Sequence, residues 1–208
     1  MRPALDMRVV ELLAARLCHE LVSPIAAINN GVELLGEEEA DFVRDAVELI
    51  GQSARRAGKR LQFYRFAYGT LGTTGPDPKE LALGLMEGSK IACDWSAEVQ
   101  TLPRDWQKLA CNMLVLAADA LPRGGKVTVR SARGNASGVE VAAVGETVSV
   151  TPELQAAISV QSAIDDLTSR TVHGYFTARL AESMGASLAI GGVTATEALF
   201  SAAVPSAA

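Results

Sequence analysis

A chain of 208 residues, 49% of them hydrophobic and 21% charged, is long and apolar enough to bury a core without disulfide or metal staples, which excludes disorder throughout. Nineteen Lys and Arg against 24 Asp and Glu leave a formal charge of −5, so there is no global attraction to nucleic acid or an anionic membrane, and any basic site must be local. Three cysteines, Cys18, Cys93 and Cys111, are odd in number and widely spaced in apolar stretches, which argues for a reducing compartment and against a disulfide frame or a zinc site. No apolar run approaches the roughly 18 residues of a membrane span, and Asp6 and Glu11 interrupt any leader, so the expected location is cytoplasmic.

In chain order, Val10, Leu13, Leu17, Leu21, Ile25, Ile28, Val32 and Leu35 recur at helical spacing and fall within an arc of about 120° on a wheel of roughly 100° per residue. This predicts a long amphipathic helix. Gly36 opens a polar break, Glu37-Glu38-Glu39, after which Phe42, Ala46, Leu49, Ser53, Ala57, Leu61, Tyr64 and Tyr68 mark one face of a second helix. Residues 5 to 68 thus read as an antiparallel hairpin. Two helices cannot enclose such stripes, so a second copy completing a four-helix bundle is the simplest cover.

Composition shifts near residue 70, and the Gly/Pro/Thr-rich stretch from Gly69 to Pro78 reads as a linker between a helical domain (residues 1–70) and a second domain (77–208). Beyond it, residues 78–90 predict a helix, 91–99 an extended segment, and 105–121 a helix. Residues 126–133 and 139–144 alternate as strands, Thr151-Pro152-Glu153 opens a short helix, and 171–184 form a longer one. Residues 187–193 and 198–204 read as a closing hairpin. The fold class is α+β, with this second domain an α/β sandwich.

Of only two histidines, His19 lies on the wheel opposite the apolar stripe, which points its ring outward from a rigid helix. Ala15, Ser23, Ala26 and Asn30 share that face, small or uncharged side chains that leave the imidazole open to another protein. Glu20 follows the histidine, and Pro24 interrupts the helix five positions on, removing the donor to the Glu20 carbonyl. A carboxylate in that position can accept a proton from Nδ1 and fix the tautomer in which Nε2 is the nucleophile. From Gln52 to Asp77 there is no acidic residue before Asp77 itself, whereas Arg55, Arg56, Lys59, Arg60 and Arg65 all occur. Antiparallel pairing sets residue 57 roughly level with residue 19, so positive charge flanks the imidazole. Arg16, Val22, Arg56, Lys59 and Arg60 complete the expected binding surface. His173 reads as structural, and Trp95 and Trp106 as core or interface residues.

The string His19-Glu20-Leu21-Val22-Ser23-Pro24 resembles the H-[ED]-L-x-x-P motif of the dimerisation and phosphoacceptor domain of histidine kinases. The resemblance implies that His19 accepts a phosphoryl group, with Glu20 as its acid/base or orienting partner and Ser23 near the phosphate. The following domain departs from the kinase pattern. Asn112 matches the first of the paired asparagines, but Leu116 stands where the second, a magnesium ligand, belongs, and leucine cannot hold a hard cation. Residues 139–150 have one glycine, Gly145, and no aspartate for adenine, and the segment from Thr168 to Tyr175 has one glycine where a phosphate lid has several. An intact phosphoacceptor hairpin on a degenerate ATP-binding domain is similar to the histidine phosphotransferases of alphaproteobacteria, a likeness carried by residues 17–35 and 112–125. That likeness implies a cytoplasmic homodimer that passes phosphoryl from the receiver domain of a hybrid histidine kinase through His19 to response regulators, one of them DNA-binding. It implies no bound cofactor and no ATP, with Mg2+ arriving in the partner receiver. The competing readings are an ATP-using sensor kinase and a non-catalytic scaffold for response regulators.

Overall fold

The computed structural model describes residues 6–36, 40–69, 75–132, 138–159 and 162–204. Two long helices come first, α1 (Met7–Leu34) and α2 (Ala40–Tyr68), packed along each other. The polar break at 37–39 and residues 70–74 of the expected linker lie outside the described residues. The Asp6 carboxylate starts α1 by accepting the Arg8 N–H at 2.9 Å, and the helix runs on through Pro24. On α1 only Arg16 and Gly31 are buried. Gly31 permits a close crossing, because a Cβ there would lie 2.6 Å from Cγ1 of Ile50 and 3.2 Å from the Ala46 carbonyl oxygen. The apolar stripe of α1 is only partly covered. Ile25 and Val32 keep 48% and 54% of their surface in solvent, and on α2 Val47 and Leu61 keep 57% each.

The second part consists of α3 (Pro78–Met86), β1 (Ile91–Trp95), α4 (Ala97–Gln100), α5 (Arg104–Asp119), β2 (Gly125–Ser131), β3 (Gly138–Val144), α6 (Pro152–Ala157), a 3-10 turn at Ile164–Asp166, α7 (Val172–Ser183), β4 (Ser187–Gly191) and β5 (Glu197–Ala203). The five strands form one mixed sheet in the order β1-β2-β3-β5-β4, with β1 and β2 parallel and the remaining pairs antiparallel. The alternation in the sequence sorts the faces: Val127, Val129, Val139, Val141 and Phe200 are buried, while Thr128, Arg130, Glu140 and Ser201 point the other way. The expected extended segment 91–99 is a strand only to Trp95. There the Ser96 N–H donates to the Val129 carbonyl at 2.9 Å and the chain turns into α4.

Helix α5 is the centre of the molecule, buried at every position from Trp106 to Ala117. It packs on β3 and β2 and is also flanked by α7, α2 and α3. Phe63, Tyr64, Phe66 and Ala67, from the last turns of α2, belong to the same core as Trp95, Trp106, Leu109 and Met113. The base of the hairpin and the second part are therefore built around shared apolar contacts. Polar ties reinforce them. Lys108 Nζ donates to the Gly69 carbonyl at 2.6 Å, and the Asn112 amide donates to the carbonyls of Ala67 (3.1 Å) and Lys108 (2.9 Å). Arg8 of α1 donates to the carbonyls of Ile164, Asp165 and Leu167 at 3.1, 3.0 and 3.0 Å.

His173, fully buried, completes the junction: Nε2 lies 3.0 Å from the Asn112 carbonyl and Nδ1 2.7 Å from the Tyr68 hydroxyl. A carbonyl only accepts, so Nε2 carries the hydrogen and Nδ1 accepts from Tyr68. Burial, aided by the nearby Arg16 charge, pushes the imidazole down to about 3, and the same burial pushes the Tyr68 phenol up to about 12.

Candidate functional site

Helix α1 carries His19 on an exposed face, with no hydrogen bond to the protein among the described residues. The imidazole and Glu20 border two clefts at once. The first, about 290 Å³, lies over the α1/α2 seam and is also lined by Ser23, Pro24, Ala27, Ser53, Arg56 and Arg60. The second, about 630 Å³, separates α1 from the second part. Arg16, Leu116, Asp119, Leu154, Thr168 and Arg170 are among its walls. His19 thus stands on a ridge with open space to either side.

The candidate site residues take different positions. Ala15, Val22, Ser23, Ala26 and Asn30 are exposed on α1, as the wheel places them, and Arg56 is exposed on α2 beside Ser23 and Ser53 in the first cleft. Glu20 does not engage the His19 ring; its carboxylate forms an ion pair with Arg60, reached across the hairpin. The two residues lie about 100° apart around the helix, so Glu20 turns to α2 while His19 faces out. Lys59 is also occupied, by Glu87 just after α3, and the Lys59 ammonium holds that carboxyl below the usual carboxylate range.

Arg16 departs from the expected binding surface. It is 8% exposed and its Nη2 pairs with the Asp119 carboxylate at 2.5 Å, so it fastens α1 to the end of α5 and does not stand among the outward residues. Position 16 is three residues before His19, on the side of the helix that turns to the second part. Asp119 carries no such signal in the sequence, being 103 residues from its partner.

Asn112, matched by resemblance to a nucleotide-binding asparagine, spends both amide hydrogens on carbonyls, and Leu116 is 1% exposed. The segment Thr168 to Thr171 forms a hydroxyl-bonded turn in which the Thr168 N–H donates to Thr171 Oγ1 at 3.0 Å, and it lines the second cleft. Trp95 and Trp106 lie in the core, as expected, while Cys18 next to His19 is exposed. Among the described residues no group of three or more His, Cys, Asp or Glu is placed to hold a metal ion, and no helix is long and apolar enough to cross a membrane.

Residues 76–193 match the family model described as the histidine phosphotransferase C-terminal domain. The chain is 37% identical over 205 residues to the protein phosphotransferase ChpT of Brucella abortus, an alignment that covers 96% of each. Among solved structures, a bacterial phosphotransferase known at 1.7 Å superposes with a TM-score of 0.79 at 34% identity, covering 95% of this chain and 97% of the other.

Proposed function

This chain belongs to the histidine phosphotransferase family, and from that premise we propose that His19 is the imidazole that carries the phosphoryl group in a phosphorelay. The observation that carries the reading is the contrast between the two histidines. His173 is fully buried with both ring nitrogens engaged, whereas His19 is exposed and unbonded on a ridge between two clefts. A phosphoryl carrier needs a ring that two different partners can reach, and His19 meets that need.

In this reading the neutral ring attacks the phosphorus of an aspartyl phosphate on an incoming receiver domain, and the phosphoramidate later gives the group to the aspartate of a second receiver. Phosphoryl transfer asks mainly for in-line positioning and charge neutralisation. The helix backbone supplies the first and the arginines of α2 the second, with Mg2+ held in the receiver's own acidic pocket. Donor and acceptors are the receiver of a hybrid histidine kinase and response regulators, including a DNA-binding one, encountered transiently in the cytoplasm.

Dimerisation belongs to the same proposal. Ile25, Val32, Val47 and Leu61 leave about half or more of their surface in water, and a two-fold pairing of hairpins into a four-helix bundle would cover them. The chain acts without ATP: Leu116 offers no oxygen to a cation and Asn112 is committed to the junction. Incubation with a receiver labelled by phosphorylation is expected to give acid-labile, base-stable label on the wild-type chain and none on His19→Gln. Label retained by a folded His19→Gln chain refutes the assignment.

A further inference from the structure

We propose that Arg60 is a phosphoryl-binding residue that changes partner during transfer, holding Glu20 while His19 is free and turning to the phosphoryl oxygens once His19 carries them. The inference rests on His19 being the phosphoacceptor. It begins from an electrostatic difficulty. Glu20 is the residue next to the acceptor and borders the same two clefts, so its negative charge opposes any phosphoryl dianion brought to the ring.

The ion pair with Arg60 removes that opposition in the resting protein. The side chains of Arg60 and Glu20 are 34% and 25% exposed, shielded enough from water for the pairing to be felt. Only Nη1 of Arg60 is used. Its other N–H groups have no protein partner among the described residues, and the guanidinium lines the 290 Å³ cleft together with His19, Ser53 and Arg56. A planar five-donor fork fits a phosphoryl group with three acceptor oxygens and nearly two negative charges better than it fits one carboxylate.

The transfer step balances without a proton. One nitrogen of neutral His19 supplies the electron pair for the new N–P bond, and the receiver's P–O bond breaks with its pair left on the aspartate carboxylate. The ring keeps its remaining N–H and becomes an imidazolium. As Arg60 moves to the phosphoryl oxygens, the released Glu20 carboxylate offsets that new positive charge from the adjacent position. Arg60 and Glu20 thus act as a pair of counter-charges that is redistributed when the group arrives.

The discriminating measurement is the equilibrium partition of phosphoryl between a phosphorylated receiver and the full-length chain, alongside the forward and reverse rates. A residue that only aids docking lowers both rates by one factor and leaves the partition unchanged. Arg60→Gln is expected to shift the partition toward the receiver by roughly tenfold, the size of losing one charge-assisted hydrogen bond. Arg60→Lys should recover part of that shift, and the shift should be larger when Glu20→Gln is already present, because Arg60 then gives up no partner to reach the phosphoryl oxygens. An unchanged partition in Arg60→Gln, or an equal shift with and without Glu20→Gln, overturns the proposal. If instead His19→Gln is labelled as fully as the wild type, it is the phosphoacceptor assignment that fails, and the partner exchange with it.

Discussion

Acidification will weaken this protein through His173, and the effect can be isolated. The imidazole is fully buried, accepts from the Tyr68 hydroxyl and donates to the Asn112 carbonyl, a set of bonds that only the neutral ring can make. Its value in the folded chain is about 3 against an ordinary 6.5, so between those limits the unfolded chain binds the proton that the folded chain refuses. More protons on the unfolded state means that stability rises with pH. The contribution is therefore complete above about pH 6.5 and drains away as pH falls toward 3. Between about pH 7.5 and pH 4.5 linkage gives a loss of roughly 2 to 3 kcal/mol from this one group. Urea unfolding at the two pH values, in wild type and in His173→Gln, measures it. Glutamine can still donate to the Asn112 carbonyl but does not titrate, so subtracting its pH dependence removes the carboxylates common to both chains. Equal losses in the two proteins would refute the buried neutral ring as the source.

Asp119→Asn should destabilise the chain by about 1 to 2 kcal/mol, since it leaves the buried Arg16 guanidinium without its counter-charge while Asp119 itself is partly solvated. Urea denaturation checks the size, and a cost near zero would mean that water replaces the carboxylate. A Val47→Glu/Leu61→Glu chain, altered where the apolar surface of α2 is most open, is expected to sediment as a monomer at concentrations where the wild type is expected to dimerise. An unchanged sedimentation coefficient would move the self-association surface elsewhere.

The helices and strands were legible because their periods are regular and their faces differ. Thr151 before Pro152 and the alternation from Val139 to Val144 each name an element by local rule, and both elements form. His19 was legible for the same reason, since a helical wheel decides which side of α1 it occupies. The partners of charged residues were not. Nothing near Arg16 announces Asp119, and nothing near Lys59 announces Glu87, because both pairs arise only after α1, α2, α3 and α5 have assembled. Glu20 illustrates the limit: its neighbour in sequence is His19, but its partner in space is Arg60, forty positions on. Asn112 shows a second limit, for a residue that matches a ligand-binding motif turns out to tie two backbones together. The 91–99 segment failed at its end because the chain leaves the edge of β2 after the Ser96 N–H bonds to Val129 and turns into α4 at Ala97, although β2 itself runs on to Ser131, and only the register reveals this.

The placement of Phe63, Phe66 and Ala67 in one core with Trp106, Leu109 and Met113 affects how the molecule can be dissected. A fragment beginning at residue 77 would lack the aromatic lid over α5, and one ending at residue 70 would carry that lid with nothing beneath it. Each severed piece would present freshly wetted aromatic surface, so a truncated half that loses activity reports damage at the cut as much as the task of the missing half. Point substitutions on the rim of the clefts separate the roles of the two parts more cleanly than scissors do.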